Sequence, residues 1–190
     1  GLSLASGTTL VPGTLTSAGT IATPTLSLTG GTIEVNLGSA GSDAINVANS
    51  GGFTQSGLTT LKVTPNGGFD PASTFYPVIN YTGTAPGISG FQVATLPGRL
   101  VGNVTDNGSA IGITATNDRV IWTGAALSGN WDVNTTTNWK KQSDSSSTNF
   151  LSQDDVIFNN DGIAQNSINL TGTINPVRVE FAQTGANTYI

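Results

Sequence analysis

The feature that most limits what this chain can fold into is the length of its apolar runs. In residues 1–64, "LSL" (2–4), "TLTS" (14–17), "TLSL" (25–28), "TIEVNL" (32–37), "AINVAN" (44–49) and "TLKVT" (60–64) alternate apolar and polar side chains over three to six residues. A period of two puts every second side chain on one face, as in a strand with one buried side. No helix-length apolar stripe intervenes, so the chain is expected to be all-β. Gly13, Gly19, Gly30, Gly31, Gly38, Gly41, Gly51, Gly52 and Gly57 separate the runs and read as corners.

Two all-β solutions fit such short strands: a sandwich or barrel, or a solenoid of stacked rungs. The recurrence of Gly-Thr-apolar at Gly13-Thr14-Leu15, Gly19-Thr20-Ile21 and Gly31-Thr32-Ile33 favours the solenoid over 1–64. In that arrangement each rung buries its apolar side chains on the next, with Thr and Asn laddered outside. Residues 65–117 change character, gathering Pro65, Pro71, Pro77, Pro86 and Pro97 with Phe69, Phe75, Tyr76, Tyr81 and Phe91. Prolines interrupt pairing and enforce turns. Asp106-Asn107-Gly108 reads as a hairpin turn between two alternating runs. This stretch is expected to be an antiparallel, aromatic-rich cap, because a terminal rung has no neighbour on one face. The boundary falls near "ATNDR" (115–119), and residues 118–190 are expected to form a β-sandwich-like domain with strands at 155–158, 167–170, 172–174 and 177–181.

Composition excludes several function classes. Six Lys/Arg and eleven Asp/Glu leave a net charge of −5, and no basic patch exists to neutralise phosphates, so nucleic acid is not an expected partner. No apolar run approaches the roughly 20 residues that cross a bilayer as a helix, and no signal peptide is visible. Cysteine and histidine are absent, which removes thiolate and imidazole chemistry and the metal sites built from them. Methionine is absent too, so a processed product or a piece of something longer is expected.

All three tryptophans, Trp122, Trp131 and Trp139, lie within "WTGAALSGNWDVNTTTNW" (122–139). They could form a stacking platform for sugar rings, or they could be the core of a small sandwich, which is the favoured reading in a chain with so few large residues. Asp154 and Asp155 are adjacent on an expected strand and should point to opposite faces, which does not suit a glycosidase pair. A distant pair such as Asp132 with Asp155 has no support from spacing. "DDVIFNNDG" (154–162) offers Asp155, Asn159 and Asp161 as oxygen ligands for calcium, although Asn-Asn-Asp-Gly also has the residue types of an ordinary Asx turn, which is commoner. Asn-x-Ser/Thr triplets at Asn80, Asn103, Asn107, Asn134 and Asn169 are expected by chance in so Asn-, Thr- and Ser-rich a chain.

Trp122-Thr123-Gly124, Gly129-Asn130-Trp131-Asp132, Asn138-Trp139, Asp154-Asp155-Val156-Ile157-Phe158 and Asn169-Leu170-Thr171 together resemble the opening of a unit in bacterial autotransporter-associated β-strand repeat proteins. Residues 26–116 resemble the closing part of such a unit, with "GGTIEVNL" and "VINY" among the matching strings. The resemblance implies a right-handed parallel β-helix, a place outside or on the surface of a Gram-negative cell, and a part in surface display or adhesion. Taken together, these readings predict a non-enzymatic extracellular structural protein. It would be a repeat unit or fibre subunit joined head to tail to other copies through terminal strands. A carbohydrate-binding module for surface glycans is the alternative, and no cofactor is expected beyond the calcium candidate.

Overall fold

The computed structural model describes every residue except Leu15, Ala40, 67–68 and 71–74. The expectations for Leu15 in the first Gly-Thr triplet and for a turn at Pro71 lie outside the described residues. The chain is all-β, with parallel and mixed sheets and, among the described residues, one short 3-10 helix, Asn160–Gln165. Among the described residues no helix is long and apolar enough to cross a membrane. Two compact units form: the first comprises Gly1–Leu96 and Val101–Thr116, the second Pro97–Leu100 and Asn117–Ile190.

In the first unit the chain visits three sheets in turn. Leu2–Leu4, Leu26–Leu28 and Phe53–Gln55 make the first sheet. Thr9–Leu10, Gly31–Leu37, Thr59–Pro65 and Phe91–Val93 make the second. Thr20–Thr23, Ala44–Val47 and Tyr76–Asn80 make the parallel part of the third. All pairings within these sets are parallel.

Parallel register places like residues on like. Ile21 pairs with Ile45, and Ile45 with Ile79; Leu10 pairs with Ile33 and Ile33 with Leu61. Ile33, Ile45, Leu61 and Ile79 are fully buried, so each column is a strip of continuous core. At about 25 cal/mol per Å² of apolar surface removed from water, these columns supply the main drive for the unit. On the outer side Thr9, Thr32, Thr60 and Gln92 stack, and Gln92 Nε2 donates to Thr60 Oγ1 at 2.8 Å. Asn80 Nδ2 donates to Asn46 Oδ1 at 2.7 Å, and Lys62 reaches Glu34 at 2.9 Å.

The parallel ladders run past residue 64. Tyr76–Asn80 and Phe91–Val93 extend the third and second sheets in parallel, so the antiparallel cap expected over 65–117 is confined to its last part. There Leu100–Asp106 and Ala110–Asn117 join the third sheet, and Ala110–Asn117 pairs antiparallel with Tyr76–Asn80. The register shifts at Ile111/Gly112, where Ile111 faces Ile79 and Gly112 faces Pro77. That leaves Val78 as the extra residue of a bulge, and Val78 and Ile79 both turn inward and are fully buried. Pro77 has no N–H to give a ladder, so a bulge beside it is where it costs least. Gly112 is required here, because a Cβ would lie 2.2 Å from the Tyr76 carbonyl oxygen.

The second unit centres on a five-stranded mixed sheet in the order Ser147–Thr148, Trp139–Lys141, Val120–Trp122, Asp155–Phe158, Arg178–Phe181. The first three are antiparallel; the last three run parallel, with Val120 against Val156 and Val156 against Val179. A second, two-stranded parallel sheet pairs Asn130–Trp131 with Asn169–Leu170. The backbone at Ile190 bonds with Asn166 and Ile168, just before the strand Asn169–Leu170. The core is Val120, Trp122, Trp131, Trp139, Phe150, Val156 and Phe158.

Candidate functional site

The tryptophans hold the middle of this second core. Trp122 and Trp139 are 0% and 1% exposed and Trp131 is 7% exposed. Trp122 meets Trp139 edge to face at 5.1 Å, and Trp131 meets Trp139 the same way at 5.3 Å. Phe150 and Phe158 complete the cluster. Edge-to-face contacts of this kind add about 0.5–1.5 kcal/mol each beyond the area they bury. Trp122 Nε1 donates to the Gln165 carbonyl at 2.9 Å. The sugar platform considered for these three residues is therefore not formed. Their faces are spent on one another and on two phenylalanines.

The polar residues between them shape the loop that carries them. Asn138, fully buried, accepts from Ala126 N–H at 2.8 Å and donates to the Asn130 carbonyl at 2.9 Å. Its own carbonyl accepts from the N–H groups of Thr123 and Gly124. Gly162 lies against Trp122 so closely that a Cβ would sit 2.3 Å from Trp122 Cδ1. "WTG", "GNW" and "NW" are thus one packing device: three indoles inward, one asparagine tying the loop around them.

The adjacent acids have separate arginines. Asp155, fully buried, meets Arg178 at 2.8 Å and Arg119 at 3.1 Å, and Arg119 continues to Glu180 at 2.6 Å. Asp154 pairs with Arg99 and accepts from Leu151 N–H at 2.8 Å. Burial pushes the Asp154 carboxyl above its ordinary range, against the pull of the Leu151 N–H and the Arg99 guanidinium. Every arginine of the chain, at 99, 119 and 178, is thereby committed to the strand that begins at Asp155 or to the residue before it. Asp132, the suggested distant partner of Asp155, closes its own loop by accepting from Thr136 N–H at 2.7 Å and Thr136 Oγ1 at 2.5 Å.

The calcium candidates also have local partners. Asn159 caps the 3-10 helix, its Oδ1 accepting from Asp161 N–H at 2.9 Å. Asp161 pairs with Lys140 at 2.8 Å, and the ammonium holds this carboxyl below the usual range. Asn159 and Asp161 meet in one turn, whereas Asp155 is engaged by its two guanidiniums. Among the described residues there is no group of three or more Asp, Glu, His or Cys able to hold a metal ion.

Two features escaped the sequence reading. Asp43, fully buried, accepts from Gly19 N–H at 2.6 Å and Asn36 N–H at 2.8 Å, fixing a corner of the first unit. Its signal, a lone acid beside a glycine-serine run, is too common to have been chosen. The other is a groove of about 240 Å³ in the second unit, lined by Trp131, Phe158, Leu170, Phe181, Tyr189 and Ile190 among others. Leu170, Phe181 and Ile190 are 61%, 61% and 76% exposed. Comparison of the chain with known protein families, curated proteins and solved structures finds no match.

Proposed function

We propose that this is a non-enzymatic extracellular structural protein of a Gram-negative bacterium, a repeat unit or subunit of a surface fibre whose copies join head to tail. In this reading the first unit is a short right-handed β-solenoid closed by a hairpin. The second is a β-sandwich-like unit that starts a new parallel ladder. The observation that carries the reading is the stacking of equivalent positions, Ile21 on Ile45 on Ile79 and Thr9 on Thr32 on Thr60. Such ladders hold one chain segment on the next and can continue wherever a further strand is supplied. The commitment of Asp132, Asp154, Asp155 and all three indoles to turns, ion pairs and core supports a scaffold role over a catalytic one.

Immunogold electron microscopy of cells that make the protein, with an antibody to the exposed face of the first unit, tests the proposal. Label along surface filaments is the expected result. Label confined to the cell interior, or only on discrete globular particles, refutes it.

A further inference from the structure

We infer that Asn107-Gly108, at the tip of the hairpin in the first unit, is a self-modifying site, where the chain converts its own asparagine amide to a carboxylate through a cyclic imide. The inference goes beyond the structural reading above and does not rest on it.

The chemistry has three requirements. A backbone nitrogen must attack the side-chain carbonyl carbon of the residue before it, a base must take the proton of that nitrogen, and donors must meet the charge that develops on the carbonyl oxygen. Asn107 and Gly108 lie between the strands Leu100–Asp106 and Ala110–Asn117, and both are exposed. Gly108 has a φ of 89°, and the space where a Cβ would stand is open, so no side chain shields its nitrogen. The Gly108 N–H donates to Asp106 Oδ1 at 2.9 Å, which sets a carboxylate on the proton that has to leave. The same carboxylate oxygen accepts from the Tyr81 hydroxyl at 2.6 Å, and that bond holds it in place.

The electrophile is prepared as well. Asn107 Oδ1 accepts from Ser109 N–H at 3.0 Å, from the Ser109 hydroxyl at 3.0 Å and from Ala110 N–H at 2.8 Å. Three donors on one amide oxygen draw electron density from Cγ and stabilise the oxyanion as it forms. Asp161-Gly162, an acid before a glycine, is the contrast within this chain. Gly162 is buried with Trp122 against it, and no ring can close there.

The step balances with water as the only co-reactant. Gly108 N bonds to Asn107 Cγ and closes a five-membered ring, and Asp106 takes the N–H proton. The tetrahedral centre then breaks its bond to Nδ2, which leaves as ammonia with the proton that Asp106 returns. Water adds to one of the two imide carbonyls. Opening on one side restores the ordinary main chain; opening on the other carries the main chain through the former side chain and lengthens it by one carbon. Both products place a second carboxylate beside Asp106. The lengthened product also disturbs the turn that sets Ala110 opposite Asn80.

The test follows the full chain during prolonged incubation at neutral pH. Trypsin cuts after Arg99 and Arg119, so one peptide, residues 100–119, carries the site, and mass spectrometry reads its loss of the amide and its isoaspartyl content. The same peptide made synthetically has the sequence without the fold and gives the reference rate. The folded chain should convert Asn107 roughly tenfold faster than the free peptide, less than such groups contribute in a buried site because water reaches this hairpin. Asp106→Asn and Ser109→Ala should each slow the folded chain severalfold. Ser109 is exposed, so its variant keeps the fold, which circular dichroism checks for both. A folded chain that converts no faster than the peptide overturns the inference, because the hairpin then only shields the pair. The parent rate in either folded variant overturns it too.

Discussion

Replacing Asp155 by Asn should destabilise the second unit far more than any surface ion pair could. Asp155 is fully buried between Arg119 and Arg178, whose side chains are 16% and 34% exposed. The substitution keeps the volume and removes the charge, leaving two guanidiniums facing a neutral amide at the sheet's parallel side. Breaking a buried pair by removing one partner costs about 3–5 kcal/mol. Both arginines reach some water and Arg119 keeps Glu180, so the lower end, about 3 kcal/mol, is expected. For a unit of this size that is a fall in melting temperature of roughly 12–24 °C. Every tryptophan lies in the second unit, so urea unfolding followed by indole emission reads it alone. Lys62→Ala, which removes the exposed pair with Glu34, should cost below about 1 kcal/mol and should leave the indole transition in place. An Asp155→Asn midpoint that moves no further than that of Lys62→Ala would mean that the arginine–aspartate network does not hold the sheet.

The buried indoles should emit blue-shifted fluorescence that iodide quenches poorly, shifting red on unfolding; red, freely quenched native emission would contradict the core described here. The Tyr81 hydroxyl donates to Asp106 at 2.6 Å, and this bond, with burial, raises its pKa from 10.0 to about 12. The folded state keeps that proton where an unfolded tyrosine has lost it, so the stabilisation is complete below pH 10 and is lost as pH rises through about 12. Phenolate absorbance should show this tyrosine titrating late, and Asp106→Asn should bring it back toward the ordinary value. Gly162→Ala should cost about 1–3 kcal/mol by driving a methyl group into Trp122, read as a lower urea midpoint of indole emission. Leu61→Ala, in the middle of a buried column, should cost about 2–5 kcal/mol and lower a backbone circular-dichroism transition while indole emission still reports a folded second unit.

Strand existence was legible because it depends on local alternation. "TIEVNL", "AINVAN" and "DVIF" all fall on observed strands, and the hairpin turn at Asp106-Asn107-Gly108 is held by the local bonds its residue types allow, Asn107 Oδ1 accepting from Ser109 and Ala110. Partnership was less legible. Tyr76–Asn80 reads as part of a proline-rich cap, yet it is the third member of a parallel ladder, because the ladder is set by the register of Ile79 on Ile45 and not by the prolines around it. The choice between core and site was open for a different reason. Three tryptophans in a row of glycines and asparagines look the same whether their faces are open or closed, and what closes them here, Phe150 and Phe158, comes from residues that are distant or unremarkable in sequence. Asp155 likewise offers an oxygen ligand on paper, and only the fold brings Arg119 and Arg178 to it.

The scarcity of charge ties these observations to one another. A chain with six basic residues can cover few sheet edges, and it uses all three arginines inward on Asp154, Asp155 and Glu180. Lysines at an edge would repel a second strand. Lys62 instead answers Glu34 within a ladder, and Lys140 answers Asp161 at the 3-10 turn. What remains along Arg178–Phe181 is an alternating strand with its inward residues half uncovered. Adding a lysine at Val179 should thus do more than remove a methyl contact. It should place a charge at the end of the column of Val120 and Val156 and, because Val179 is 40% exposed and the ammonium can reach water, cost only about 1 kcal/mol, read as a lower urea midpoint of indole emission. A Val179→Lys midpoint equal to that of the parent chain would show that the column of Val120 and Val156 draws no stability from this strand.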